Sequence, residues 1–274
     1  MTKVIAIANQ KGGVGKTSTT VNLSAGLVRA GYSVLAIDFD PQANLTMALG
    51  FRNPDDMGYT VSSVLAKAMN EEPINPAEGI LTSSEGIDLM PSSIQLSRFE
   101  LALVNEMNRE SMLRQFVKAA KPNYDYILID CAPSLNVLAL NALTAANSVL
   151  IPTQPEFFSN AGLQMLLETV SKARKKINPS LYIEGVLVTM MDKRPNFTKE
   201  LVMKLRESYG DYIKVFDTEI PKSIRMTESN VSGKSVFGYD PRNPVGLAYE
   251  AFTKEVIEHD KQIERIESVI QTAR

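Results

Sequence analysis

Val4-Ile-Ala-Ile-Ala8, then Asn9-Gln-Lys-Gly-Gly-Val-Gly-Lys16, then Thr17 through Ala30: an apolar run, a glycine-rich turn and a helical pattern follow one another at the start of the chain. Their order decides the fold. The apolar run has the unbroken hydrophobicity of a strand covered on both faces. The stretch Thr17–Ala30 reads as a helix stopped by Gly31. Glycines at 12, 13 and 15 let the backbone between them turn with its N–H groups inward. The helix that follows adds the positive end of its dipole. A turn of this kind cradles phosphate oxygens, so Gly12, Gly13, Val14, Gly15, Lys16, Thr17 and Ser18 are the candidate binding residues for ATP. Lys16 is placed to reach the outer phosphates, and Thr17 to offer its hydroxyl to Mg²⁺. The usual phosphate-loop pattern has glycine six residues before that lysine, where this chain has Gln10.

Outward from this unit, short apolar runs alternate with helical patterns. Val34–Ile37, Tyr126–Ile129, Ser148–Ile151, Ile183–Thr189 and Tyr212–Phe216 read as further strands. Strands spaced by helices predict an α/β fold: a mostly parallel, twisted sheet with helices on both faces, of the P-loop NTPase type. Residues 53–93, rich in Pro, Ser, Asn and Glu, read as an insertion of short helices and loops within a single domain spanning 1–274. A C-terminal helix is predicted over about 245–272. There Tyr249, Phe252, Val256, His259, Ile263, Ile266 and Ile270 recur at spacings of three and four, a heptad stripe. Packing on the protein's own core is the expected use of that stripe.

Three aspartates stand where strands end. Asp38 and Asp40 follow the second strand in Asp38-Phe-Asp-Pro-Gln-Ala-Asn44, and Asp130 closes Tyr126-Ile-Leu-Ile-Asp130. Ligands of open parallel sheets bind in the crevice outside such strand ends. Thr17, Asp38 and Asp130 are therefore the expected metal-side residues, Asp130 holding Mg²⁺ through water and Asp38 supporting the metal shell or the loop. Asn44 is expected to cap a short helix. A plain Asx turn is the other reading of this segment. Cys131, the only cysteine, reads as a small buried apolar residue.

Composition narrows the rest. One cysteine and one histidine per chain exclude a disulfide framework, a zinc ribbon and an iron–sulfur cluster. The lone cysteine suits a reducing cytoplasm. No apolar run approaches the roughly 18 residues that span a bilayer. Net charge is −2, so nucleic-acid binding requires a local patch. Between Lys172 and Lys234 there are 13 Lys+Arg and 8 Asp+Glu, a local net of +5.

Lys11 is unexplained by phosphate-loop chemistry alone. Lys11-Gly-Gly-Val-Gly-Lys-Thr17 resembles the deviant Walker A motif of the ParA/MinD family, and Asp38-Phe-Asp-Pro-Gln-Ala-Asn44 resembles its second segment. The resemblance implies that Lys11 crosses a dimer interface to the partner's nucleotide, and that Asp40 positions the attacking water. Lys11, Lys16 and Asp40 are then the catalytic set. Ala132-Pro-Ser134 resembles the family's second switch segment. Thr218-Glu-Ile-Pro221 resembles its I-P element, which places Pro221, with Met191, against the adenine. The run Ile220-Pro-Lys-Ser-Ile-Arg225 and Tyr239-Asp-Pro241 are similar to the ParA/Soj subgroup rather than to MinD. That likeness implies an ATP-dependent homodimer and non-specific double-stranded DNA bound with help from Lys222 and Arg225. It also implies a ParB-like partner that stimulates hydrolysis, plasmid or chromosome partition, and a cytoplasmic, nucleoid-associated location. The alternative is a MinD-like membrane-positioning ATPase. It needs a basic amphipathic tail, whereas Glu255, Glu258, Asp260, Glu264 and Glu267 make this tail acidic. Ser229–Val236 departs from the family's commonest wording.

Overall fold

The computed structural model describes residues 2–103, 106–134, 136–157, 161–192, 194 and 196–272. Its strands are β1 (Lys3–Ile7), β2 (Val34–Phe39), β3 (Leu81–Thr82), β4 (Asp88–Met90), β5 (Tyr126–Cys131), β6 (Ser148–Thr153), β7 (Tyr182–Met191) and β8 (Val215–Pro221). They form one sheet in the order β3-β4-β2-β5-β1-β6-β7-β8, parallel except for the β3–β4 pair. β1 lies in the middle, between β5 and β6. The predicted α/β class with a mostly parallel sheet is what the chain adopts.

Alternate residues of each central strand feed two separate cores. Val4 and Ala6 of β1, with Ile127 and Ile129 of β5, face one side. Ile5, Ile7 and Leu128 face the other. Five helices, α3 (Val61–Met69), α4 (Gln95–Leu103), α5 (Met112–Ala120), α6 (Val137–Ala145) and α7 (Ala161–Lys176), cover the first side together with α8 (Asn196–Tyr209). The second side is covered by α1 (Lys16–Arg29), α2 (Asn44–Ala48), α10 (Val236–Tyr239) and α11 (Pro244–Thr272), with α9 (Ile224–Ser232) packed on α2 and α10. Burial on both faces is why these strands carry continuous rather than alternating hydrophobicity.

Three sequence expectations are corrected. The 53–93 segment contains strands as well as helices: β3 and β4 form a hairpin, and β4 pairs with β2. Strands of two and three residues are too short to leave a periodic signal. The last strand is Val215–Pro221, not Tyr212–Phe216, so the Ile220-Pro221 pair ends the strand rather than following it. β8 is an edge strand, where a proline without an N–H is tolerated. Asn44 does not cap α2. It is the first helical residue, and Ala43, at φ 52°, precedes it without a side-chain cap.

The C-terminal stripe packs inward as expected. Tyr249, Phe252 and Val256 are buried in the second core, whereas Ile266 is exposed. The Ile270 side chain lies outside the described residues. Among the described residues, no helix is long and apolar enough to cross a membrane. His259 does more than pack: its Nδ1 lies 2.8 Å from Glu184 Oε1. Glu184 is fully buried and also pairs with the ammonium of Lys3 at 2.8 Å. Lys3 bonds Asp260 as well, and Asp260 accepts from Tyr126 Oη at 3.0 Å. This network joins the first residue of β1 to β7 and α11. Burial alone would raise the Glu184 carboxyl; the His259 bond and the Lys3 charge overcome it and hold the group at about 2.

Removing one partner from a buried ion network leaves uncompensated charge and costs about 3–5 kcal/mol. Lys3→Met strands Glu184 and Asp260 together, so it should lower stability by about that amount in urea titrations at pH 7. A change within about 0.5 kcal/mol, as for an ordinary surface substitution, would contradict the network's structural role.

Candidate functional site

The carboxyl ends of β1, β2 and β5 meet at one edge of the sheet. Ile7 is register partner to Asp130, and Asp130 to Asp38. The glycine turn leaves β1 there and enters α1. Gly15 caps α1 in the left-handed region, at φ 88°, with no side-chain cap and no acidic residue in the first turn. The helix's orphan N–H groups are thus kept for a ligand.

A cavity of about 810 Å³ opens over this turn. Gly12, Gly13, Gly15, Lys16, Thr17 and Ser18 line it from the predicted motif, and Asp40 lines it from the loop after β2. Lys16 is buried, and its ammonium donates to the carbonyl of Lys11 at 3.1 Å. Burial pushes that ammonium below its usual range, against the opposing pull of Asp130. Thr17 donates its hydroxyl to Asp130 Oδ2 at 2.6 Å, and Thr20 reaches Asp130 Oδ1 at 3.4 Å. Asp130 therefore stands behind Thr17, one step back from the cavity.

Asp38 is fully buried and does not line the cavity. Its Oδ2 accepts from the Thr46 N–H at 2.8 Å and the Thr46 hydroxyl at 2.7 Å, and its Oδ1 from the Asp40 N–H at 3.3 Å. These bonds tie Asp38 to the loop after β2 and to α2. Asp40 makes the Asx turn and also borders the cavity. Its Oδ1 accepts from the Gln42 N–H at 2.9 Å. Burial, then the neighbouring acids, raise the Asp38 carboxyl to about 7 and the Asp130 carboxyl to about 8. Cys131 is buried among apolar residues, and burial raises its thiol.

Lys11 is exposed and is not among the residues lining its own chain's cavity. Met191 and Pro221 are register partners at the ends of β7 and β8, and the Lys222 N–H donates to the Met191 carbonyl at 3.1 Å. Neither lines this cavity; the neighbouring Met190 does, while Met191 lines a separate, smaller one. Val14 is buried beneath the turn. Lys222 and Arg225 are exposed on and before α9. Arg225 is paired with Glu228 at 2.9 Å and lies 3.9 Å from Asp240. Gln42, Asn44, Met47, Ala48, Arg52, Pro133, Asn230 and Val231 complete the lining. Gln42, Asn44 and Pro133 belong to segments already singled out in the sequence, whereas Met47, Ala48, Arg52, Asn230 and Val231 are identified only by their three-dimensional convergence. The oxygen donors of Thr17 and the nearby aspartates fit Mg²⁺. Among the described residues, no three His, Cys, Asp or Glu side chains gather to hold a metal by themselves. Mg²⁺ does not require such a cluster, because it keeps waters and takes substrate phosphates.

A family model described as an AAA domain matches residues 2–183. The sequence is 43% identical over 256 residues to the sporulation initiation inhibitor protein Soj of Bacillus subtilis, covering 93% of this chain and 98% of that protein. It is 41% identical over 264 residues to the chromosome partitioning protein ParA of Caulobacter vibrioides, covering 95% and 96%. In shape it is similar to cobyrinic acid a,c-diamide synthase from Mycobacterium smegmatis with bound ADP and magnesium. The TM-score is 0.82 at 32% identity, covering 95% of this chain and 96% of that one.

The raised carboxyls carry a pH signature. Both are protonated in the folded chain where the unfolded chain, near 3.8, has already ionised them. Their contribution to stability is full below about pH 4 and is lost as pH rises through about 7 and 8. The urea midpoint of the isolated protein should therefore fall between about pH 5 and pH 8. A midpoint that rises over that interval would contradict the assignment.

Proposed function

From a chain that belongs to the family of Soj and ParA partition ATPases, we infer an ATP-driven DNA-partition cycle run by one ATPase unit over residues 1–274. In this reading ATP and Mg²⁺ sit on the Gly12–Thr17 turn, two copies pair while ATP is held, and the pair binds DNA without sequence preference. A ParB-like partner then stimulates hydrolysis to ADP and phosphate. The setting is the nucleoid, in the cytoplasm.

The carrying observation is the division between two lysines on one turn. Lys16 is buried against the cavity; Lys11 is exposed and outside its lining. In this reading the exposed Lys11 reaches a second copy's site, where it neutralises phosphate charge in trans. Lys16 exchanges the Lys11 carbonyl for phosphate oxygens. Thr17, backed by Asp130, and the loop held by Asp38 would hold Mg²⁺, which supplies charge neutralisation on the phosphates. Asp40 orients the attacking water. Met191 and Pro221 border the adenine.

Lys222 and Arg225 serve the DNA face. Arg225 is already engaged by Glu228, but an exposed pair of this kind is worth only about 0–1 kcal/mol. A DNA phosphate competes with it successfully. Pairing of two copies doubles the phosphates neutralised and steepens the salt dependence, so ATP-gated pairing switches DNA binding. The apolar stripe of α11 is used internally by Tyr249, Phe252 and Val256, which favours DNA over a membrane as the docking surface. The Mycobacterium smegmatis neighbour is named as a synthase, but the Soj and ParA relatives share more of the sequence, 43% and 41% against 32%.

Retention on long DNA should require ATP and fail with ADP or without nucleotide; equal retention in all three states would overturn the reading. Asp40→Ala should stay on DNA with ATP while its hydrolysis falls by about 100-fold or more. In the same assay Arg225→Glu should weaken retention and reduce the salt slope by about 1 per chain. Unchanged retention at matched salt would remove Arg225 from the DNA face.

A further inference from the structure

In a trans peptide the C=O and N–H point in opposite directions, so holding the carbonyl fixes where the N–H is aimed. In the glycine turn, two carbonyls are held by side chains from outside the motif. The hydroxyl of Thr189, on β7, donates to the Val14 carbonyl at 2.8 Å, with the Thr153 carbonyl 3.1 Å away. The side-chain amide of Gln154, just beyond β6, donates to the Gly13 carbonyl at 2.9 Å. The Val14 carbonyl shares its peptide with the N–H of Gly15, and the Gly13 carbonyl with the N–H of Val14. Both N–H groups are thereby turned away from the gripping side chains. Among the described residues, no acceptor bonds either of them. Gly13 and Gly15 line the cavity, whereas Thr189 and Gln154 do not.

Two neighbouring features support a built brace. Thr189 is buried and lies 3.8 Å from the place a side chain on Gly15 would occupy, so it packs directly against the turn. Met190, next in sequence, is held at φ 52°, a conformation non-glycine residues adopt at a cost. In that conformation Met190 lines the cavity and its sulfur meets the second amide hydrogen of Gln154. Both hydrogens of the amide are then used, and its orientation is set.

We propose that Thr189 and Gln154 are positioning residues for the nucleotide's phosphates. They grip the Val14 and Gly13 carbonyls from behind and pre-aim the N–H groups of Gly15 and Val14 at the phosphate oxygens. Neither side chain touches the ligand. Preorganised donors need no reordering when an anion arrives, which is where their contribution to affinity arises. The inference rests on the reading of this turn as a nucleotide site.

Calorimetric titration of the full chain with Mg²⁺ and ADP tests it. Thr189→Val keeps the shape and removes the donor; Thr189→Ser keeps the donor. Gln154→Met removes the amide without adding charge. Thr189→Val and Gln154→Met should each weaken ADP binding roughly 3- to 10-fold, the range of one hydrogen bond. Thr189→Ser should bind within about twofold of wild type, because its donor is intact. Urea titrations run beside the binding measurements separate a purely structural role. A loss of stability in Thr189→Val with wild-type ADP affinity would overturn the proposal. If Thr189→Val does not fold, Gln154→Met, whose bond is near the surface, decides. Lys16→Ala separates the two levels of the argument. If it binds ADP as well as wild type, the phosphate-loop reading itself fails. If it loses binding while Thr189→Val and Gln154→Met keep it, only the brace is wrong.

Discussion

Asp38 and Asp130 are forced side by side because they stand in register near the ends of neighbouring parallel strands. Nothing about either strand alone requires this. It follows from burying β2 and β5 on both faces and placing an acid next to the last residue of each. Two enclosed carboxylates repel each other and resist ionisation, and the molecule answers with specific donors. Thr46 gives two hydrogen bonds to Asp38, and Thr17 gives one to Asp130. The Thr46 bonds tie α2 to the end of β2 and bring Asp40 to the cavity edge. The Thr17 bond fixes the first turn of α1 under the glycine loop. The placement of the whole site descends from that one juxtaposition.

The opposite end of β1 carries the counterpart. Lys3, its first residue, is clamped by Glu184 and Asp260. β1 is only five residues long, so one short strand runs from a buried ion network to the phosphate turn. Its core residues Val4, Ile5, Ala6 and Ile7 are completely buried. A strand pinned at its start and packed on both faces holds the turn at its end without slack, as electrostatic preorganisation requires.

The sheet and the phosphate turn were legible because they are local. An apolar run, glycines and a helix lie within 30 consecutive residues, and Asp130 sits at a recognisable strand end. What was not legible depends on contacts between distant segments. Lys3, Glu184 and Asp260 are separated by most of the chain, so their network leaves no sequence pattern, and His259 looked like a packing residue. Met190 rather than Met191 lines the cavity because of a left-handed backbone that a methionine does not announce. Arg52 and Asn230 reach the cavity only after α2 and α9 have docked. The β3–β4 hairpin is too short for periodicity, and β8 runs on through Pro221 because its edge position spares that residue's missing N–H.

Sharing of one triphosphate between two chains is the account's central claim, and Lys11 is the residue on which it turns. Sedimentation velocity of the wild-type chain and Lys11→Ala, each with ATP or ADP and Mg²⁺, measures it most directly. The account predicts a doubled mass for the wild type in ATP alone, and a single-chain mass for Lys11→Ala in both nucleotides although it still binds ATP. A wild-type mass that ignores ATP, or a variant that pairs as the wild type does, would contradict it.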